Sequence, residues 1–225
     1  MYTEQYFESE IWQDYLRLRA QRPEAFADSP ELSFCTDPAA ILSLMNRTGQ
    51  RLGVLYRSAY SILVVDPVFG ADGTLFAYER ILPAAAGAVV IVPKLQGHYV
   101  LLRQYRHALR SEALGFPRGF GEAGLSVPEN ASKELLEELG AQASDLKLLG
   151  TVAPDSGLLG ARVSIVLCQC DRIEQKTGHE GIRQALLMTE EALRASIASG
   201  EITDGYTLAA WALLHSRSGQ EQADS

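Results

Sequence analysis

The chain has 225 residues, of which 47% are hydrophobic and 21% charged, enough apolar content for a substantial core in one domain with an extension or in two small domains. Its formal net charge of −8, without any long basic run, argues against a general nucleic-acid binder and leaves a small ligand as the expected partner. No apolar run approaches the length of a membrane span, and Met1–Arg17 is too acidic and aromatic for a signal peptide, so a cytoplasmic protein is expected.

Residues 1–57 read as a helical extension. Ile11, Trp12, Tyr15, Leu16 and Leu18 have helical spacing and precede a break at Pro23, and a second helix is expected over Pro38–Asn46, ending near Gly49. This region holds no site-like cluster and is expected to serve packing or subunit association. From residue 58 to 84 the pattern changes to strands, with Ser61–Val65, a turn at Gly70-Ala71-Asp72-Gly73 and then Thr74–Ile81, which predicts a small N-terminal β-sheet.

The remaining core, residues 85–217, reads as strands around 87–93 and 98–106, a helix behind a glycine-rich loop, and strands around 145–153 and 162–170. A loop at 171–181 and helices near 189–199 and 204–216 follow, and residues 218–225 are expected to be a disordered tail. This alternation predicts an α/β/α sandwich. The three cysteines, Cys35, Cys168 and Cys170, have no zinc-binding spacing and are expected to be reduced and structural.

The segment Gly119–Ala141, GFGEAGLSVPENASKELLEELGA, is the most informative part of the chain. Ser126 and Glu129 have the spacing of a capping box, Pro128 suits a first helical turn, and Gly140 suits the position after the helix. In the helix so defined, Ala131, Leu135 and Leu139 form a packing stripe. Glu134 and Glu138 lie four apart on another face, with Glu137 beside them. Like charges at that spacing cost a few tenths of a kcal/mol, which a bound cation would reverse, and hard carboxylate oxygens favour Mg²⁺ or Mn²⁺. Taken alone, the same glutamates also fit an ordinary solvated helix surface.

The flanking residues favour the site. The segment resembles the Nudix box, G-x5-E-x7-R-E-U-x-E-E-x-G-U with U aliphatic, through Gly119, Glu134, Leu135, Glu137, Glu138, Gly140 and Ala141. Leu125 stands where the pattern has its first glutamate and Lys133 where it has arginine. In the family those two side chains commonly brace loop against helix, so their joint replacement suggests that the brace is lost; Glu122, three residues earlier, offers a replacement charge.

Over about residues 58–215 the chain is similar to the ADP-ribose pyrophosphatase branch of the Nudix hydrolases. Val89–Pro93 followed by Tyr99–Arg106 looks like the hairpin before the box, and Phe116-Pro117-Arg118-Gly119 looks like the E-x-P-A-G turn, with Gly115 and Arg118 as departures. Gly200–Gly205 followed by Thr207–Ala210 is similar to the C-terminal helix signature.

The resemblance implies a Nudix-type sandwich with a mixed sheet and a homodimer. The implied activity is Mg²⁺-dependent hydrolysis of the diphosphate in ADP-ribose or a related nucleoside diphosphate sugar, giving a nucleoside monophosphate and a sugar phosphate. Glu134 and Glu138 would be the main metal ligands with the backbone carbonyl of Arg118, and Glu137 would assist catalysis. Glu180, on the loop Thr177–Ile182, would act as general base or auxiliary ligand, with His179 as a secondary candidate. Arg106 would reach the diphosphate or else serve a structural ion pair. Tyr78 and Arg80 would reach a partner subunit's site, or simply belong to an exposed strand pair. A binding-only module that senses a nucleotide is the competing interpretation, motivated by Leu125, Lys133 and Gly115.

Overall fold

The structure, a computed structural model, describes residues 1–174 and 181–223. It divides into two compact units, Met1–Ala84 with Asp155–Ala161, and Ala85–Pro154 with Arg162–Ser225. None of the described helices is long and apolar enough to cross a membrane.

The first unit contains α1 (Glu10–Gln21), β1 (Leu32–Phe34), α2 (Pro38–Thr48), β2 (Gly53–Arg57), β3 (Ser61–Gly70) and β4 (Leu75–Pro83). Ser9 caps α1, Asp37 caps α2, and Gly49 ends α2 in the left-handed conformation at φ 75°. The helical reading of residues 1–57 is corrected here, because β1 and β2 lie within that span and join the sheet. Both strands are too short to show a period of their own, and their order comes from β3. That long strand pairs with β4 along one edge and with β2 and then β1 along the other. Pro67 sits between these last two partners. Its carbonyl accepts from the Cys35 N–H, so its nitrogen faces the same edge at the one place where the ladder is interrupted and no donor is needed.

The core of this unit gathers Tyr15, Leu18, Ile41, Leu44, Met45, Ile62 and Val64. It also encloses a polar network, in which the Tyr15 hydroxyl donates to Asp66 Oδ1 at 2.8 Å and Arg80 Nε to Asp66 Oδ2 at 2.6 Å. Burial, reinforced by the Asp66 charge, pushes the Tyr15 phenol well above its ordinary pKa.

The second unit contains β5 (Val89–Leu95), β6 (His98–Arg106), β7 (Ser111–Gly115), β8 (Arg118–Gly119), α3 (Val127–Leu139) and β9 (Ala143–Val152). These are followed by β10 (Val163–Cys170), β11 (Ile182–Met188), α4 (Glu190–Ala198) and α5 (Gly205–Ala223). Helix α5 is assigned through Ala223, so the backbone of the expected tail is helical to that point. The sheet order is β11-β6-β5-β10-β9, with β10 parallel to β5 and the other neighbours antiparallel. Strands β7, β8 and β11 lie outside the expected set, although β8 falls within the turn that was singled out.

These additional strands place the glycine-rich loop. Strands β5 and β6 pair only next to their turn, Lys94 with Tyr99 and Leu95 with His98, and then separate. Residues 111–119 fill the opening between them. Strand β7 pairs with β6, the Pro117 carbonyl accepts from the Ile91 N–H at 2.9 Å, and β8 pairs with Val89 and Val90 of β5. The chain is thereby carried across the sheet to Gly119, next to the strand that α3 covers.

Helix α3 packs Ala131, Leu135 and Leu139 against Val89, Ile91, Val100, Leu102, Val166 and Cys168 on one face of the sheet. Each large apolar side chain buried in this way contributes about 1.5–3 kcal/mol. Leu193 of α4 and Ala210 of α5 lie with Val90, Val92, Leu101 and Ile165 on the other face. The result is the expected α/β/α sandwich with a mixed sheet. All three cysteines are free and buried, and burial pushes the Cys168 thiol up to about 12.

Candidate active site

Helix α3 begins at a complete capping box. The Ser126 hydroxyl accepts from the Glu129 N–H, and the Glu129 carboxylate accepts from the Ser126 hydroxyl at 2.6 Å and from the Ser126 N–H at 2.8 Å, bonds that in this order hold the Glu129 carboxyl below its usual range. Gly140, at φ 62°, closes the helix. One turn in from the start, buried Asn130 donates through Nδ2 to the carbonyls of Gly87 and Phe120, both at 2.9 Å, fastening the helix to the segment just before β5 and to the loop.

Glu134 lies directly against that loop. A β-carbon at Gly119 would lie 2.0 Å from Glu134 Cδ and 2.1 Å from Oε1, so only glycine leaves room for this carboxylate. Gly121 is equally confined, since a β-carbon there would lie 1.8 Å from the Ala86 carbonyl oxygen. One helical turn beyond Glu134, Glu138 is only 4% exposed rather than part of a solvated charged face. Burying a carboxylate is costly unless a cation or hydrogen bonds compensate it.

Glu137 has a different setting. It is about half exposed and faces Lys133 at 3.3 Å, while the same ammonium lies 2.9 Å from Glu122. The hydrogen bond that Lys133 donates to Glu122 is the main reason that the Lys133 pKa is raised. An ion pair therefore joins loop and helix, and of the two expectations, a lost brace or a replacement charge from Glu122, the geometry favours the second.

Arg118 is held through its side chain as well as its place in β8. NH1 lies 3.0 Å from Asp204 Oδ1, and the guanidinium stacks 4.9 Å over the Tyr206 ring. Arg106 ends β6 opposite Ser111 and is partly buried. Glu180 and His179 lie outside the described residues.

Tyr78 and Arg80 belong to the first unit, where the Tyr78 hydroxyl donates to the Gly157 carbonyl at 2.9 Å. Arg80, besides its bond to Asp66, donates through NH1 to the Ala25 carbonyl at 2.8 Å and lies 4.6 Å over the Phe26 ring. Its side chain is 17% exposed, so in this chain Arg80 is engaged by its own unit. Residue spacing carries no sign of this, because Asp66 is hidden within an apolar strand.

The residues fit a divalent cation in donor chemistry. Glu134 and Glu138 offer hard oxygens from successive turns, one seated against the loop backbone and one buried, as Mg²⁺ or Mn²⁺ requires. No group of three His, Cys, Asp or Glu side chains among the described residues converges as a complete cage. The expected backbone carbonyl and a residue of the 175–180 loop are not side chains of that described set. No role at the site was expected for Asn130, nor for Asp204 and Thr207 of the C-terminal helix signature. The first stands one turn before Glu134, and the other two carry the D-x-x-T spacing of a helix cap.

An α/β/α sandwich that seats an acidic helix against a glycine turn defines a class, and comparison with known proteins agrees with it. Residues 82–205 match the family model of the NUDIX domain. The chain belongs to the Nudix family. Over 110 residues it is 36% identical to the ADP compounds hydrolase NudE of Escherichia coli (strain K12), a stretch that covers 49% of this chain and 59% of that relative's length. A crystal structure of an ADP compounds hydrolase superposes with a TM-score of 0.64 at 24% identity, over 76% of this chain and 93% of the other, which supports the fold.

Proposed function

We propose that this protein is a divalent-metal-dependent Nudix hydrolase. Its substrate is ADP-ribose or a related nucleoside diphosphate sugar, and its products are a nucleoside monophosphate and a sugar phosphate. The observation that carries this is the seating of the Glu134 carboxylate against Gly119, one helical turn from buried Glu138. The name of the E. coli relative supports an ADP compound as the substrate.

Glu134, Glu138 and the backbone carbonyl of Arg118 would hold Mg²⁺, or Mn²⁺ in its place. When bound, the ion supplies charge neutralisation at the diphosphate and activation of water. The protein's own groups set the geometry. Gly119 fixes where the Glu134 oxygens lie, Asn130 ties the loop to the helix, and Lys133 holds the half-exposed Glu137 at the rim, where it assists. Arg106 orients the diphosphate through forked hydrogen bonds. Glu180 takes the proton of the attacking water or adds a ligand. The protein acts in the cytoplasm as a homodimer, with the first unit, residues 1–57 and 58–84, as its association element.

A binding-only module was motivated by Leu125, Lys133 and Gly115. Lys133 has a partner in Glu122, which favours turnover. The test is incubation of the full-length protein with ADP-ribose and a panel of nucleoside diphosphate derivatives, with Mg²⁺, Mn²⁺ or chelator, following release of monophosphate. Metal-dependent release is expected. Binding of the same compounds without release from any of them would overturn the hydrolase and leave a sensor.

A further inference from the structure

The segment that carries the chain across the opening between β5 and β6 is fastened at a second place. Asp204 caps α5: its Oδ2 accepts from the Thr207 N–H at 3.0 Å and from the Thr207 hydroxyl at 2.8 Å, while its Oδ1 faces Arg118 NH1 at 3.0 Å. The Thr207 hydroxyl, donating to Asp204, accepts in turn from the Phe116 N–H at 3.0 Å. One hydroxyl thus serves both as donor and as acceptor, which is its full complement in this setting. Thr207 is fully buried and the Asp204 and Arg118 side chains are 14% and 25% exposed, so water competes weakly for these bonds.

Two departures from the family's turn belong to this arrangement. A β-carbon at position 115 would lie 2.8 Å from Thr207 Oγ1 and 3.2 Å from Asp204 Oδ2, so the cap fits against the turn because Gly115 has no side chain. Arg118 then supplies the charge that matches Asp204. Gly115 and Arg118 thus meet at the same residue, Asp204.

The consequence reaches the site. Strand β8 is two residues long and pairs in the ladder with Val89 and Val90, and it is followed by a loop without regular structure as far as Ser126. Gly119, the last residue of β8, is the surface on which Glu134 rests. The sheet holds this stretch at Pro117, Arg118 and Gly119, and the bonds from Asp204 and Thr207 add a grip at Phe116 and Arg118, on the side from which Gly119 is approached.

We propose that Asp204 is a positioning residue for the glutamate site. Through Arg118 and Thr207 it fixes the backbone of residues 116–119, and this backbone fixes the Glu134 carboxylate. The proposal rests on Glu134 being a metal ligand. Residues that support ligands at one remove typically alter metal affinity or activity by about 10–100-fold when replaced.

The test uses full-length Asp204→Asn, Arg118→Met, the double variant and Arg118→Lys. Each is measured by thermal melting, by calorimetric titration with Mn²⁺ alone and by steady-state hydrolysis, and Glu134→Gln identifies the site-bound ion. Asp204→Asn and Arg118→Met are each expected to weaken Mn²⁺ binding and lower kcat by about 10–100-fold, with KM changed less than about 3-fold. The double variant should lose no more than the worse single one, and Arg118→Lys should regain most of the affinity. Arg118→Met leaves the α5 cap intact, so it decides the matter if Asp204→Asn does not fold. Folded variants that bind Mn²⁺ as the wild type does would reduce Asp204 to a helix cap and overturn the proposal. A wild type that binds Mn²⁺ at Glu134 but hydrolyses nothing would sink the hydrolase alone, because the Mn²⁺ titrations still decide the role of Asp204.

Discussion

Replacing Gly119 by alanine adds one methyl group at the point where loop and helix are closest. The added carbon would lie 2.0 Å from Glu134 Cδ, 2.1 Å from Oε1 and 2.3 Å from Cγ. Unbonded heavy atoms settle at about 3.5 Å, so the carboxylate has to move by about 1.5 Å. Gly119 is not in the left-handed region, and alanine can adopt its backbone conformation without strain. The stabilisation of up to about 1 kcal/mol from a less flexible unfolded chain then offsets part of the overlap. The buried stripe of Ala131, Leu135 and Leu139 is untouched, so the melting temperature should shift by only a few degrees. Function should respond far more. A displacement of about 1 Å in a reacting group can cost about 100-fold, equivalent to about 2.7 kcal/mol in the activation barrier. Thermal melts, Mn²⁺ titration and kcat/KM at saturating Mg²⁺ would be compared with Gly157→Ala, whose β-carbon meets only an ordinary contact with Asp155. A folded Gly119→Ala enzyme within about 3-fold of wild-type kcat/KM would refute the claim that this seat sets the site.

Glu138→Gln should nearly abolish hydrolysis and Glu137→Gln should reduce it less, since the first carboxylate is buried and the second is half exposed against Lys133; steady-state rates in the reverse order would exchange their roles. Lys133→Met and Glu122→Gln should each change stability by less than about 1 kcal/mol and show non-additive losses in rate, whereas strictly additive losses would dissolve the brace. Asp66→Asn leaves Arg80 with part of its pairing gone in the interior and should cost about 3–5 kcal/mol by denaturant titration; a loss under about 1 kcal/mol would contradict the buried pair. Cys35, Cys168 and Cys170 are buried with raised pKa values, so a thiol reagent at neutral pH should label them only after unfolding, and rapid labelling of native protein would count against this.

The box helix could be read in the sequence down to its caps, because Ser126, Glu129, Pro128 and Gly140 act within a few residues of one another. The same holds for the packing stripe Ala131, Leu135 and Leu139, whose spacing is a property of one helix. Local chemistry of this kind is carried by the chain itself. Strand β11 is the opposite case. Ile182–Met188 reads IRQALLM, rich in good helix formers, and is a strand because the open edge of β6 supplies partners for its backbone. Strand β7 likewise exists because β5 and β6 separate and leave backbone groups to be satisfied.

The family, the acidic helix and the alternation of strands and helices that makes the sandwich are all legible in the order of residues. Tertiary structure alone decided that Glu138 is buried while Glu137 is not, that Glu122 replaces the missing acid opposite Lys133, and that Arg80 turns inward to Asp66. It also brought Asp204 to Arg118 across 86 positions of the chain. Periodicity and capping report on interactions within one turn of backbone, whereas the environment of a charge depends on which distant segments enclose it, and one-dimensional spacing carries no record of that.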